Sequence, residues 1–312
     1  MMKPILLRTL RLFVIVAGAL LCLLTVVGAW PGSILLLAPH IRVSSPYCSR
    51  WRAATDWSRL KASADLESRL CREARIERRD GRLVLWNTPA GEYWLPADAP
   101  ANLLPILLAQ QQRSIYGPIR PDEVIIDCGA HVGTFSRAAL EHGAGLVVAV
   151  EPAPDAIECL RRNLASEIAT GKAILSPKGI WDSEGALTFW LNPGNGDAGD
   201  SFVSRAPGAR AVQVPVTTID ALARDLRLPR IDLIKMDVKG ATERGLRGAV
   251  AVIARHHPRL ALSTEDPPED PAALTRLLAT LAPGYRHTCG PCILISGQIR
   301  TDVMFFDWPQ NR

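Results

Sequence analysis

The chain has 312 residues, enough for one sizeable domain with attachments and a well-buried core, but short for two full domains. Its 36 Lys and Arg against 31 Asp and Glu give a formal charge of +5, with no run of basic residues interleaved with aromatics, so nucleic acid is not expected as a partner. Part of the positive excess lies near the start, at Lys3, Arg8, Arg11, Arg42, Arg50, Arg52, Arg78 and Arg79, which suits either a surface close to anionic lipid or plain solvation.

Leu12 to Trp30 is an uncharged run of 19 residues. At about 1.5 Å per residue it is long enough for a hydrocarbon layer of roughly 30 Å, so a single-pass N-terminal membrane anchor is expected. A cleavable signal peptide and a buried core helix are the competing readings, since Lys3, Arg8 and Arg11 make an n-region and Val27-Gly28-Ala29 resembles a cleavage site. Lys3, Arg8 and Arg11 on one side balance Arg42, Arg50, Arg52 and Arg59 on the other, so loop charge does not choose an orientation. The seven cysteines read mainly as scattered thiols, although Cys48 and Cys71 flank a polar stretch and could bridge outside the cytosol.

Beyond the apolar segment, Tyr47 to Arg75 lacks Gly and Pro and reads as a helix. Arg82 to Trp86 and Glu92 to Leu95 read as a hairpin around Pro89-Ala-Gly91, and Ala101 to Gln112 as another helix. Tyr116-Gly-Pro-Ile-Arg-Pro121 is a turn-rich boundary. Together these make a cap rather than a second core.

The stretch Val124-Ile-Ile-Asp127-Cys-Gly129-Ala-His131-Val-Gly133 then describes a nucleotide-cofactor crevice. An apolar strand stops at an acid, two glycines four apart make a tight turn, and Thr134 to His142 opens a helix. The second strand, Leu146 to Val150, ends in Glu151, placed to accept ribose hydroxyls at the carboxyl edge of a parallel sheet. A pyrophosphate turn wants G-x-G-x-x-G. This one is G-x-x-x-G with Asp127 directly before it, and a carboxylate there would repel pyrophosphate but attract a sulfonium and an amino group. The cofactor implied is S-adenosylmethionine, with a Gly-rich turn in another doubly wound sheet as the alternative.

Strands and helices go on alternating: a helix from Pro154 to Glu167, strand Ala173 to Leu175, strands Ala186 to Leu191 and Val212 to Val216, and a helix from Thr218 to Leu226. Ile231 to Asp237 is the fourth main strand, followed by a helix from Thr242 to Ile253, strand Arg259 to Thr264 and helix Pro271 to Leu281. Tyr285 to Cys289 and Val303 to Trp308 suit a terminal antiparallel pair. Such alternation implies an α/β fold with a parallel, Rossmann-like sheet. Asp127, Glu151 and Asp237 end successive strands and should share one crevice. For transfer to a hydroxyl, Asp237 and Lys235 are the candidate bases, with Lys235 equally readable as a strand residue satisfied by a carboxylate.

Val124 to Gly133, Val150-Glu-Pro152, Cys159-Leu-Arg-Arg-Asn163, Thr217-Thr-Ile-Asp220 and Ile234-Lys-Met-Asp-Val-Lys-Gly-Ala241 resemble the FkbM family of methyltransferases, over roughly Pro118 to Asp307. That resemblance implies a class I methyltransferase sheet of seven strands, S-adenosylmethionine as cofactor, and O-methylation of sugar or polyketide hydroxyls. It implies cofactor contacts at Asp127, Gly129, Gly133 and Glu151, a fourth-strand motif at Asp237 and Gly240, and Asp182 near the adenine. His131 stands where the family commonly has Asn and is expected to order the loop rather than act as a base. After the fourth strand the family usually reads Asp-x-Glu-Gly-Ala-Glu, whereas this chain reads Asp237-Val-Lys239-Gly-Ala-Thr242. Two carboxylates are absent and Lys239 reverses a charge, which leaves a cofactor-binding protein without strong catalysis as an alternative.

The loop Asn192 to Phe202 is too Gly-rich to pack on itself and is expected to close over the pocket. Cys289-Gly-Pro-Cys292 matches a redox motif in letters, but an extended segment follows it instead of a thiolate-stabilising helix, so a turn with two thiols or a local disulfide is the main reading. His287 with these cysteines supplies three metal ligands, one short of a closed zinc site, and no metal is expected. An extracytoplasmic thiol-disulfide protein is the remaining alternative. The domains expected are therefore an anchor at 1–40, a helical and hairpin cap at 41–117, and a methyltransferase domain at 118–312. The acceptor is expected to be a small molecule or a lipid-linked glycan. The catalytic part should face the cytosol, where the cofactor is made.

Overall fold

Near-continuous apolar runs dictate strands covered on both faces, and such runs build the middle of the central sheet. In chain order the strands of the sheet are β1 (Val124–Cys128), β2 (Leu146–Val150), β3 (Ala173–Ser176), β4 (Leu233–Met236), β5 (Arg259–Ser263), β6 (Arg286–Cys289), a polar and mostly exposed edge strand, and β7 (Val303–Asp307). The computed structural model describes residues 15–19, 25, 31–37, 41–265, 269–295 and 297–309. Every residue of β1, β4 and β5 is buried. The spatial order is β3-β2-β1-β4-β5-β7-β6; the first five strands run parallel, and β7 is antiparallel to both β5 and β6. This is the expected class I sheet with its terminal antiparallel pair. The order reverses between β1 and β4, which opens a crevice at their carboxyl ends. The register sets Lys235 of β4 directly beside Asp127 of β1.

The anchor expected at Leu12 to Trp30 lies outside the described residues except for 15–19 and 25. Among the described residues no helix is long and apolar enough to cross a membrane.

The cap differs from its sequence reading in one element. The helix Arg50–Glu73, capped by the Ser49 hydroxyl accepting from the Arg52 amide, stops before Arg75. Arg75–Asp80 is instead a strand, paired antiparallel with Leu83–Thr88, which pairs in turn with Gly91–Pro96. All six residues of Arg75–Asp80 are exposed, so no apolar alternation announces it and only backbone pairing to a neighbour decides its form. The expected helix 154–167 breaks at Leu164, and the one at 242–253 breaks at Gly248, where an added Cβ would lie 2.3 Å from the Trp181 carbonyl oxygen.

The cap helix Leu103–Gln112 and the cap sheet bury Leu85, Tyr93, Leu104 and Leu108 in one cluster with Val132 and Cys159 of the catalytic domain. Asn163 fastens the two regions. Its Nδ2 donates to the carbonyls of Trp94 (3.0 Å) and Val132 (2.8 Å), and its Oδ1 accepts from the Trp94 amide (2.7 Å).

Cysteine pairing corrects two expectations. Cys48 is bridged to Cys292, neither left as a thiol nor joined to Cys71. Cys289 is a free thiol whose sulfur accepts from Arg52 Nη1 at 2.7 Å, so the Cys289-Gly-Pro-Cys292 turn holds no local disulfide. The bridge joins positions 244 residues apart, brought together by a small sheet of Arg42–Val43, Gln298–Thr301 and Cys292–Ile295.

Candidate active site

Close backbone approach governs the turn after β1. Gly129 has φ of +74°, and a Cβ there would lie 2.0 Å from the Asp237 carbonyl oxygen, so only glycine allows the β1 turn to pass the end of β4. Gly133, at φ +87°, starts the helix Thr134–Glu141 and packs on Leu160; it supports the turn without lining the cleft. His131 is also left-handed, at φ +51°.

Glu151 stands where expected, at the end of β2 and facing the cleft. Its carboxylate accepts the amide N–H of His131 (2.8 Å) and of Ala153 (2.9 Å). Burial outweighs both bonds and pushes its pKa up to about 7. Each oxygen keeps a second lone pair for a ribose hydroxyl.

Asp127 and Lys235 do not line the cleft. They form a buried pair beneath the turn, Nζ to Oδ1 2.9 Å, with side-chain exposures of 4% for Lys235 and 0% for Asp127. Lys235 Nζ also donates to the Gly129 carbonyl (2.8 Å) and lies over the rings of Tyr116 and Phe135, while Ser136 Oγ donates to Asp127 (2.6 Å). Burial works against the ammonium charge, but the Asp127 and Asp237 carboxylates outweigh it and hold the Lys235 pKa above its ordinary value. Of the two readings of Lys235, the geometry is that of a strand residue satisfied by a carboxylate, a protonated amine already serving two acceptors; Asp127 faces Lys235 rather than the cleft, and the cause is the β1–β4 register.

Asp237 faces the cleft just past β4. Tyr116 Oη donates to its Oδ2 at 3.0 Å, and Lys239 Nζ lies 3.5 Å from its Oδ1. Burial alone would raise its pKa, yet Lys239, Lys235 and the tyrosine hydroxyl together bring it down to about 2. Tyr116 itself, buried and beside that carboxylate, is held well above its ordinary value and stays a donor.

The loop Asn192 to Phe202 lines the cleft through Asp197, Ala198 and Asp200 to Phe202. His131 Nε2 donates to the Gly196 carbonyl (2.6 Å), Asp197 accepts the Ala156 amide (2.9 Å) and Asp200 accepts the Asn192 amide (2.6 Å). Burial lowers the His131 pKa, so its neutral ring orders the loop as expected. Burial lifts Asp197 to about 7 and Asp200 to about 6. Phe202 packs on Phe189 and against Gly179, forming with Ile180 an apolar wall on the Glu151 side. The cleft holds about 940 Å³ of free space, its open mouth included. Asp182 lies outside it, paired with Arg244 at 2.6 Å.

Beside Lys239 and Thr242 a distant segment does bring in a carboxylate, outside the cleft lining. Glu269, beyond β5, accepts the amides of Gly240 (2.9 Å) and Thr242 (3.3 Å) through Oε1. Sequence reasoning also missed Glu265 and the cap helix as cleft-forming groups, and Tyr116 as the partner of Asp237.

Residues 127–287, about half of the chain, match the methyltransferase FkbM domain. The chain belongs to the FkbM methyltransferase family. Methyltransferase 1 of Beauveria bassiana is 29% identical, with 42% of this chain and 60% of that protein covered. Methyltransferase sdnD of Sordaria araneosa is 30% identical, with 40% and 59% covered. The chain thus spans about 60% of the length of these curated relatives. A crystal structure of an FkbM methyltransferase from Methylobacillus flagellatus KT is 17% identical, with 81% of this chain and 60% of that one covered, at a TM-score of 0.43. In this FkbM chain the family segment begins at Asp127 and so leaves out Tyr116 and the cap helix that roofs the cleft.

Proposed function

We propose that this chain transfers a methyl group from S-adenosylmethionine to a hydroxyl of a sugar, glycolipid or lipid-linked acceptor. One observation carries the reading: Glu151 and Asp237 flank the Gly129 turn within a single cleft. S-adenosylmethionine supplies an electrophilic methyl carbon on a sulfonium. Glu151 accepts the ribose hydroxyls, Gly129 lets the backbone approach, and His131 holds the covering loop. Asp237, ionised and steadied by Tyr116, accepts a hydrogen bond from the acceptor hydroxyl and orients its lone pair for in-line attack. At a pKa of about 2 it is a weak base, but the hydroxyl proton becomes strongly acidic as the new C–O bond forms, so the proton passes to it late.

Calorimetric titration with S-adenosylmethionine and its demethylated product, followed by transfer of labelled methyl to extracted glycans and lipids, tests this. Failure to bind either compound removes the reading. Binding without transfer to any acceptor favours a cofactor-binding protein without catalysis, a reading motivated by Lys239 beside Asp237.

The run Leu12 to Trp30 supports a single-pass anchor with the catalytic part on the cytoplasmic side, where the donor is made. The Cys48–Cys292 bridge favours the opposite side, because disulfides persist in oxidising compartments. Thiol labelling in intact cells decides: Cys48 and Cys292 modified without prior reduction means the cytoplasmic side.

A further inference from the structure

The cap helix Leu103–Gln112 has two apolar faces, one fully buried in the cap core and one only half-buried, with Leu103 and Leu107 touching that core at its edge. Leu104, Leu108 and Ala109 are buried in the cap core. Leu103, Ile106, Leu107 and Gln110, spaced i, i+3, i+4, i+7 and therefore on one side of the helix, are half-buried and line the cleft. At one end of this stripe Leu103 abuts the Asn192 to Phe202 loop, where a Cβ on Gly196 would come within 3.2 Å of Leu103 Cδ2. At the other end the chain continues past Gln110 to Tyr116, whose hydroxyl meets Asp237. The donor does not match this surface. Its ribose, amino acid and sulfonium are polar, and its purine has the Ile180, Phe189 and Phe202 wall on the Glu151 side. An apolar stripe in the same cleft as Asp237 needs an apolar occupant of its own.

We infer that the acceptor is an amphipathic alcohol whose hydrocarbon portion lies along Leu103, Ile106 and Leu107 and whose hydroxyl reaches Asp237. The inference rests on the methyltransferase reading and narrows it, because a free sugar leaves the stripe uncovered. Gln110, the one polar member, stands at the end where the acceptor turns from hydrocarbon to head group. Selection between acceptors then comes from the cap rather than from the family segment.

The probes are octyl β-D-glucopyranoside and methyl β-D-glucopyranoside, which share a head group, each used below micelle concentration. Their binding to the full chain saturated with S-adenosylhomocysteine is measured by ligand-observed NMR. The octyl glucoside is expected to bind at least tenfold more tightly, since burial of two methylenes already suffices for about that factor. Ile106→Asp and Leu107→Asn should each remove most of the difference and leave S-adenosylhomocysteine affinity unchanged, which also shows that the variants fold. Equal binding of the two glucosides, or an octyl preference surviving both substitutions, overturns the inference. Loss of S-adenosylhomocysteine binding by the unmodified chain instead overturns the methyltransferase reading itself.

Discussion

Replacing Lys235 with methionine separates a structural ion pair from a catalytic base. The substitution keeps the length and apolar stem of the side chain but leaves Asp127, wholly buried, with the Ser136 hydroxyl as its remaining hydrogen-bond donor among the described residues. Breaking a buried pair by removing one partner costs about 3–5 kcal/mol, because a charge is left without compensation. The lost bond to the Gly129 carbonyl adds about 1 kcal/mol. Set against a total stability of roughly 5–15 kcal/mol, the variant should fold but unfold at much lower urea concentration. Lys235→Met combined with Asp127→Leu removes both charges and should recover most of the loss, so the double-mutant cycle should show a coupling of about 2 kcal/mol or more. Urea denaturation of the four proteins measures this, and S-adenosylhomocysteine titration checks the turn above the pair. If Lys235→Met left stability within about 1 kcal/mol of the parent while abolishing methyl transfer, Lys235 would act on substrate and the structural assignment would be wrong.

Glu151 has a folded pKa near 7 against an ordinary 4.5, so its protonated form is favoured by folding. Its contribution to stability is therefore fully present below 4.5 and lost as pH rises through about 7, with Asp197 and Asp200 acting in the same direction. Thermal melts of the unliganded chain between about pH 5 and about pH 8 should show that decline, and Glu151→Gln should flatten it; identical pH profiles would contradict the burial argument. Gly129→Ala should cost ~1–2 kcal/mol for the left-handed backbone alone, plus the overlap with Asp237, and should weaken donor binding; an alanine variant with parental melting temperature and affinity would show that the turn has room. Closing a loop between residues 244 apart is worth about 5 kcal/mol in the chain-entropy account, so reductant should lower the melting temperature of the parent and leave Cys48→Ser unmoved. A parent indifferent to reductant would mean that the bridge does not form in solution.

What the sequence by itself determined is what depends on neighbours along the chain. Strand-length apolar runs set β1, β2, β4 and β5; the spacing of Gly129 and Gly133 set the turn; and Glu151, one residue past β2, followed from the length of its strand. Even the cleft-facing stripe of Leu103, Ile106, Leu107 and Gln110 is written in the helical period, although its neighbour across the cleft is not. Tertiary structure decided the charges and the long-range partners. Whether Asp127 faces a ligand or Lys235 depends on which strand lies beside β1 and in which register. Glu269 reaches the Gly240 turn from beyond β5, and Cys48 finds Cys292 rather than Cys71 or its near neighbour Cys289. Hydrophobic periodicity is a local signal because it reports one face of one element. An ion pair or a disulfide joins side chains from separate elements, and their meeting is determined only when those elements pack.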